Sequence, residues 1–260
     1  LSLHDALPIY EPAGPHDTGR HHPGGGAPLA VPGPRSSRRV AGTTVRGWLV
    51  TALWLSVGDP RLSPSRDPEV SRRSLEEAVI DPAQEADRDR VLELLDTHGA
   101  PLADRTTAPG HLTGSALVVD SEGERVLLML HAKLRRWLQP GGHADGDHRL
   151  AGVALREATE ETGIAGLRVL VPAVDVDIHP VDHRDALGEH LHLDVRFVVV
   201  APPGAVEVGN HESLALRWVT WDELPDAVDE EGILRLARAA HPFCSFDHTA
   251  DGVIERTERS

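Results

Sequence analysis

The chain has 260 residues, with 41 acidic against 26 basic side chains, a net charge of −15 and a pI near 5.4. That balance argues against an extended nucleic-acid-binding surface, which is usually basic, but it leaves room for phosphates held locally through a metal. The single cysteine, Cys244, excludes an internal disulfide and fits a reducing cytoplasm.

Residues 1–68 are expected to be a disordered or artefactual extension. The chain starts at Leu1, and "LSLHDALPI" reads like one frame of a sequencing adapter. "PGGGAPLAVPGPRSSRR" cannot bury enough apolar surface to offset chain entropy. His16, His21 and His22 in this stretch read as coil histidines. The apolar run Trp48–Val57 is too short to cross a bilayer, and it lies too far into the chain for a leader peptide. Residues 69–109 read as a helical attachment of two short helices broken near Pro82. Val91, Leu92, Leu94 and Leu95 form its apolar face, and Gly99 gives its stop.

The main domain is expected over 110–240. "TGSALVVD" and "RVLLMLH" are strands around the turn "SEGE", and Trp137 and Leu138 lead into a Gly-Gly loop and an acidic helix. "LRVLVPAVDVDIH", interrupted at Pro172, "EHLHLDVRFVVVA" and "LALRWVTW" are further strands, and "EEGILRLARAA" is the last helix. This order fits an α/β/α sandwich with a mixed sheet. Residues 241–260 read as a loose tail, weakly anchored by Phe243 or Phe246.

The acidic helix is expected from about His148 to Thr162, with Asp147 as N-cap and Gly163 just past its end. Ala151, Ala154, Leu155, Ala158 and Thr162 form its apolar stripe. Glu157, Glu160 and Glu161 share a neighbouring face through i,i+3 and i,i+4 spacing. A solvated acidic face is the plain reading. Two features oppose it: the acids lie at the C-terminal end, where the helix dipole disfavours them, and a tight Gly-Gly loop precedes the helix, which suits close backbone approach. Oxygen ligands clustered against local preference are what a hard divalent cation requires.

The stretch from Gly142 to Ile164 resembles the Nudix hydrolases, whose motif is G-x5-E-x7-R-E-U-x-E-E-x-G-U, U being a bulky aliphatic residue. Gly142, Arg156, Glu157, Glu160, Glu161, Gly163 and Ile164 match, seven of nine fixed positions. His148 replaces the first glutamate, and Ala158 is small at an aliphatic position. The resemblance covers roughly Gly110 to Ala240. It implies hydrolysis of a diphosphate linkage in a nucleoside diphosphate derivative, with Mg2+ or Mn2+ as cofactor. By the resemblance, Glu160 and Glu161 ligate the metal, Glu157 holds a metal or orients water, and Arg156 fixes a glutamate. The carbonyl of Gly141 is a further ligand candidate. Glu212, in a loop before the last strand, is either an extra ligand or base, or a surface acid. Neutral His148 cannot supply a glutamate's charge and suits softer metals than magnesium. A weak or inactive nucleotide-sensing module is therefore the alternative function.

Alternation in "HLHLDVRF" puts His190, His192, Asp194 and Arg196 on one face of a strand. That face reads as substrate or metal contact across a cleft, or as an edge strand facing water. A zinc site from His179, His183, His190 and His192 is not expected, because no thiols accompany them. Lys133, with Arg135 and Arg136, is placed at the substrate's phosphates or in a solvated turn, and Trp137 in the core. The expected partner is a small nucleotide-type molecule, with no extended nucleic acid and no membrane; homodimerisation is left open.

Overall fold

The computed structural model describes residues 43–45, 48–50, 52–182 and 189–244. A hairpin of β1 (Thr43–Val45) and β2 (Trp48–Val50) precedes β3 (Leu53–Ser56), α1 (Pro68–Glu76) and α2 (Glu85–His98). Then follow β4 (Gly110–Val119), β5 (Arg125–His131), β6 (Trp137–Leu138), β7 (Gly141–His143) and α3 (Leu150–Thr162). The order closes with β8 (Arg168–Val171), β9 (Asp175–Asp182), β10 (Glu189–Val200), β11 (Ser213–Thr220), α4 (Leu224–Ala227) and α5 (Glu231–Ala240).

One mixed sheet runs β11-β5-β4-β10-β8-β3, with β6 beside β5, β7 beside β4 and β9 beside β10. Its centre is the parallel pair β4 and β10, in register from Leu191↔Gly110 to Val200↔Val119. Along one edge, β4 changes partner. It pairs with β7 at Thr113–Ser115 and with β5 at Val118–Val119. Beyond that point β5 pairs with β6 instead, at Met129↔Leu138 and Leu130↔Trp137, and the candidate site forms beside β7.

Strand alternation sorts the two faces. Leu112, Ala116 and Val118 of β4, with Leu193, Val195 and Phe197 of β10, pack on Ala151, Ala154, Leu155 and Ala158 of α3. Leu75 of α1 and Val91, Leu94 and Leu95 of α2 join that layer. Leu117, Val119, Val198 and Val200 face the other way, onto Ile233, Leu236 and Ala240 of α5. The architecture is an α/β/α sandwich around a mixed sheet, as the order of elements implies. No helix among the described residues is long and apolar enough to cross a membrane.

The boundary expected at residue 68 falls too late. The apolar run before it forms β3, which pairs with β8 from Leu53↔Val171 to Ser56↔Arg168. Ala52 and Leu55 are buried. Four residues are too few to show a period against Gly- and Pro-rich neighbours, so this strand was hidden in the sequence. His16, His21 and His22 lie outside the described residues. At the other end, Phe243 and Cys244 are buried in the α5-side core, whereas Phe246 falls beyond the described residues.

A chain starting at Glu69 should therefore be less stable than one starting at Ala52. Losing buried Leu55 and its ladder should cost at least about 3 kcal/mol, or roughly 6–12 °C in melting temperature. Equal melting curves for the two truncations would show that β3 adds nothing to the fold.

Candidate active site

The acidic helix starts later than its sequence suggests, at Leu150, with Arg149 as N-cap and no side-chain cap bond. Asp147 does other work: its Oδ1 accepts from the backbone N–H groups of Arg149 at 2.8 Å and Ser65 at 2.9 Å. That carboxylate ties the loop before α3 to the segment that follows β3. The helix ends at Gly163, in the left-handed region at φ 67°. A Cβ there would also meet the Val208 carbonyl oxygen at 2.5 Å.

The loop between β10 and β11 closes over this helix end. Val208 N–H donates to the Thr162 carbonyl at 2.7 Å, and Asn210 Nδ2 donates to the Glu160 carbonyl at 3.1 Å. These bonds satisfy carbonyls that the helix leaves open. The same loop carries Glu212, whose N–H is held by Asn210 Oδ1 at 2.8 Å and whose carbonyl accepts from Ala132 N–H at 2.8 Å.

From the other side, β7 brings the Gly-Gly backbone against the acids. Gly141 N–H donates to Glu161 Oε2 at 3.0 Å. A Cβ on Gly142 would sit 2.6 Å from the Glu157 carboxyl carbon, and one on Gly141 would sit 2.2 Å from Ser115 Oγ. Glycine is needed at both positions, at Gly142 because the Glu157 carboxylate fills that space and at Gly141 because Ser115 does. Arg156 Nη2 donates to Glu157 Oε1 at 2.7 Å and to the His143 carbonyl at 3.3 Å.

Electrostatics mark this corner. Burial pushes the Glu161 carboxyl up to about 8 against the pull of Gly141 N–H, and neighbouring Glu157 and Glu212 push it the same way. Burial also raises Glu157, with Arg156 pulling it back and Glu160 and Glu212 adding to the rise. Glu157, Glu161 and Glu212 thus converge, Glu160 stands exposed beside them, and Arg156 is the cation paired with this cluster. Oxygen donors with uncompensated negative charge in a partly buried corner fit a hard divalent cation. The α3 stripe is buried as its spacing requires, and the loop that carries Glu212 lies against the end of the same helix.

His148 lies elsewhere. It is fully buried. Its Nε2 faces the Ala100 carbonyl at 3.0 Å, and its Nδ1 lies 2.9 Å from the Ser71 hydroxyl. A carbonyl only accepts, so Nε2 carries the proton toward Ala100, while the Ser71 hydroxyl beside Nδ1 also donates to the His148 carbonyl at 3.0 Å. The backbone N–H of His148 donates to the Ser65 carbonyl at 2.7 Å. This side chain joins α1, the Ala100 turn and the start of α3. The expectation that His148 weakens the metal cage is corrected, because its ring does not face the carboxylates.

Arg196, expected at the substrate, is also corrected. It is buried, and its guanidinium donates to Asp194 at 2.7 Å, Asp175 at 3.1 Å, Asp177 at 2.8 Å and the Gly232 carbonyl at 3.2 Å. Arg235 of α5 joins Asp175 and Asp177. Those bonds use the fork that a phosphate would need, so Arg196 locks β9, β10 and α5 together. Lys133 is exposed in the turn after β5, and Arg136 pairs with Glu230. Trp137 is half-buried against the α5-side core.

His190 and His192 do face one cluster, with His111, His143 and His179. Neighbouring ring centroids in this group lie 4.8–5.9 Å apart. Burial and the other histidines push His192 down to about 2, so its ring is neutral. His183 lies outside the described residues. His111 and His143 escaped the sequence reading because each stands alone in its own strand, and only the register brings them to His192.

Comparisons with known proteins identify the family. Residues 110–238 match the family model described as NUDIX domain. A MutT-like protein of Streptomyces ambofaciens is 31% identical over 134 residues, which cover 52% of this chain and 80% of that protein. The m7GpppN-mRNA hydrolase NUDT17 of Danio rerio is 34% identical over 76 residues, which cover 27% of this chain and 25% of that protein. The chain thus spans about a quarter of the length of the zebrafish relative. A NUDIX-family hydrolase structure from Clostridium perfringens aligns at 20% identity with a TM-score of 0.40, covering 50% of this chain and 95% of that one.

Proposed function

This chain belongs to the Nudix hydrolase family, and from that premise we propose that it hydrolyses a diphosphate linkage in a nucleoside diphosphate derivative, using Mg2+ or Mn2+. The observation that carries this reading is the convergence of Glu157, Glu161 and Glu212 at the Gly141–Gly142 backbone.

Glu157, Glu160, Glu161 and Glu212 would hold the cation, with the Gly141 carbonyl beside them. Such a cation neutralises charge on phosphate oxygens and acidifies water. The chain's own residues provide the rest. Arg156 holds Glu157 in place through a charge-assisted bond. Gly141 N–H orients Glu161. The loop of Asn210 and Glu212, pinned to the end of α3, carries the acid best placed to accept a proton from the attacking water. Lys133 stands at the rim, where it adds positive charge for an incoming polyphosphate. His148 leaves the carboxylate set whole, which favours an enzyme over a nucleotide-sensing module.

Divalent metal should be obligatory. A panel of nucleoside diphosphate derivatives should show product release with magnesium or manganese, none in EDTA, and recovery on adding metal back. Full turnover in chelator would end the metal mechanism. Tight nucleotide binding with no turnover at any metal concentration would instead establish the sensing module.

A further inference from the structure

The α5-side face of the sheet carries a second constellation that the carboxylate corner does not use. His111 of β4 and His192 of β10 are register partners across the parallel pair. His179 of β9 is the partner of His192 on the other side. His143 of β7 lies opposite Thr113, two residues along β4 from His111. Residues in register project to the same face, so four strands deliver imidazoles to one place. His190 joins from two residues earlier on β10. One ring nitrogen each from His111, His190 and His192 lies within 4.8 Å of the others.

We infer that His111, His190 and His192 form a binding site for a borderline divalent transition metal of the zinc class, separate from the hard-cation site of the glutamates. Ligand chemistry selects the ion. Imidazole suits zinc, cobalt, nickel and copper, whereas magnesium takes oxygen donors. The three ligands bring no carboxylate, so nothing in the set favours magnesium. Three protein nitrogens with the fourth position left to water or another ligand is a familiar zinc arrangement.

Burial orders the site. His111 and His190 are 0% and 8% exposed, so the strands fix two of the three rings. His192 is half-buried at the rim. Zinc–nitrogen bonds of about 2.0–2.1 Å bring tetrahedral ligands to roughly 3.3 Å from each other. The three nitrogens, already within 4.8 Å of one another, would draw together by up to about 1.5 Å on binding. Beside it, His179 Nδ1 lies 2.7 Å from Asp177 Oδ2. The carboxylate fixes that ring's tautomer, with the lone pair on Nε2, as outer carboxylates do for metal-binding histidines. His179 and His143 are thus the neighbours from which a fourth ligand would come.

The test uses the full chain after chelator treatment and dialysis, titrated with Co2+ and followed by visible absorption. One equivalent should give the bands of a nitrogen-ligated cobalt ion, displaced by Zn2+ and unaffected by excess Mg2+. His190→Gln and His192→Gln should each weaken Co2+ binding at least about tenfold, the scale seen even for outer residues of metal sites. The doubly substituted Glu157→Gln, Glu161→Gln protein should keep the spectrum. Because the readout is absorption, it stands whether or not the chain hydrolyses nucleotides. Absence of a Co2+ spectrum in the folded parent would overturn the site. So would a spectrum that survives both histidine variants but vanishes with the glutamates.

Discussion

Replacing Glu161 by glutamine is expected to lower kcat by about 10²–10³, the usual cost of losing one preorganised electrostatic group. The swap keeps size and leaves an acceptor for Gly141 N–H, so the fold has no reason to fail. It removes one charge from a corner where Glu157 and Glu212 already repel it. The metal-free protein should therefore gain stability at alkaline pH. The folded carboxyl is raised from 4.5 to about 8. A group raised on folding contributes fully below its unfolded value, and that contribution is lost as pH rises through the folded one. The parent without metal should thus weaken between those two limits, by up to a few kcal/mol, while the glutamine variant should not.

Metal reverses the sign. A cation must displace the Glu161 proton, so its apparent affinity in the parent should climb with pH up to about 8. Melting curves in EDTA and in magnesium across that range would show both trends, with kcat measured on the same preparations. Glu160→Gln should also slow turnover, but without the alkaline gain in stability, because Glu160 is exposed. If the Glu161 variant turns over like the parent, this carboxylate takes no part in catalysis.

The helix and strand pattern was readable because each long element carries its own period. The α3 stripe of Ala151, Ala154, Leu155 and Ala158 is buried as its spacing requires, and the alternation in β10 separates Leu193, Val195 and Phe197 from His192, Asp194 and Arg196. What escaped depends on partners distant in sequence. β3 has four residues and takes its meaning from pairing with β8. Arg196 looked available because its three aspartates come from two strands and its second cation from α5. The glutamates were legible for the opposite reason: one helix turn and one glycine loop bring most of them together, and only Glu212 needed the tertiary fold to place it.

His148 is the sharpest case, because its position in the motif suggested one role and its surroundings give another. His148→Glu should not tighten metal binding. It should instead cost about 3–5 kcal/mol, the scale for a buried charge without a counterion. The carboxylate would replace an N–H that donates to the Ala100 carbonyl at 3.0 Å, so two acceptors would face each other in a fully buried site. Protonating the glutamate would relieve the charge, so the loss should shrink as pH falls. His148→Gln is the informative control. Its neutral amide keeps a donor for the Ala100 carbonyl, so stability should stay within about 1 kcal/mol, the net worth of one ordinary hydrogen bond. Thermal melts of the parent and both variants would separate these outcomes, and a metal titration of each would test the link to the carboxylate corner. A glutamate variant as stable as the parent, binding magnesium more tightly, would place position 148 within the metal's reach and refute the structural role. A large loss in the glutamate variant, small in the glutamine one and with metal affinity unchanged, would show that this position holds α1, the Ala100 turn and α3 together.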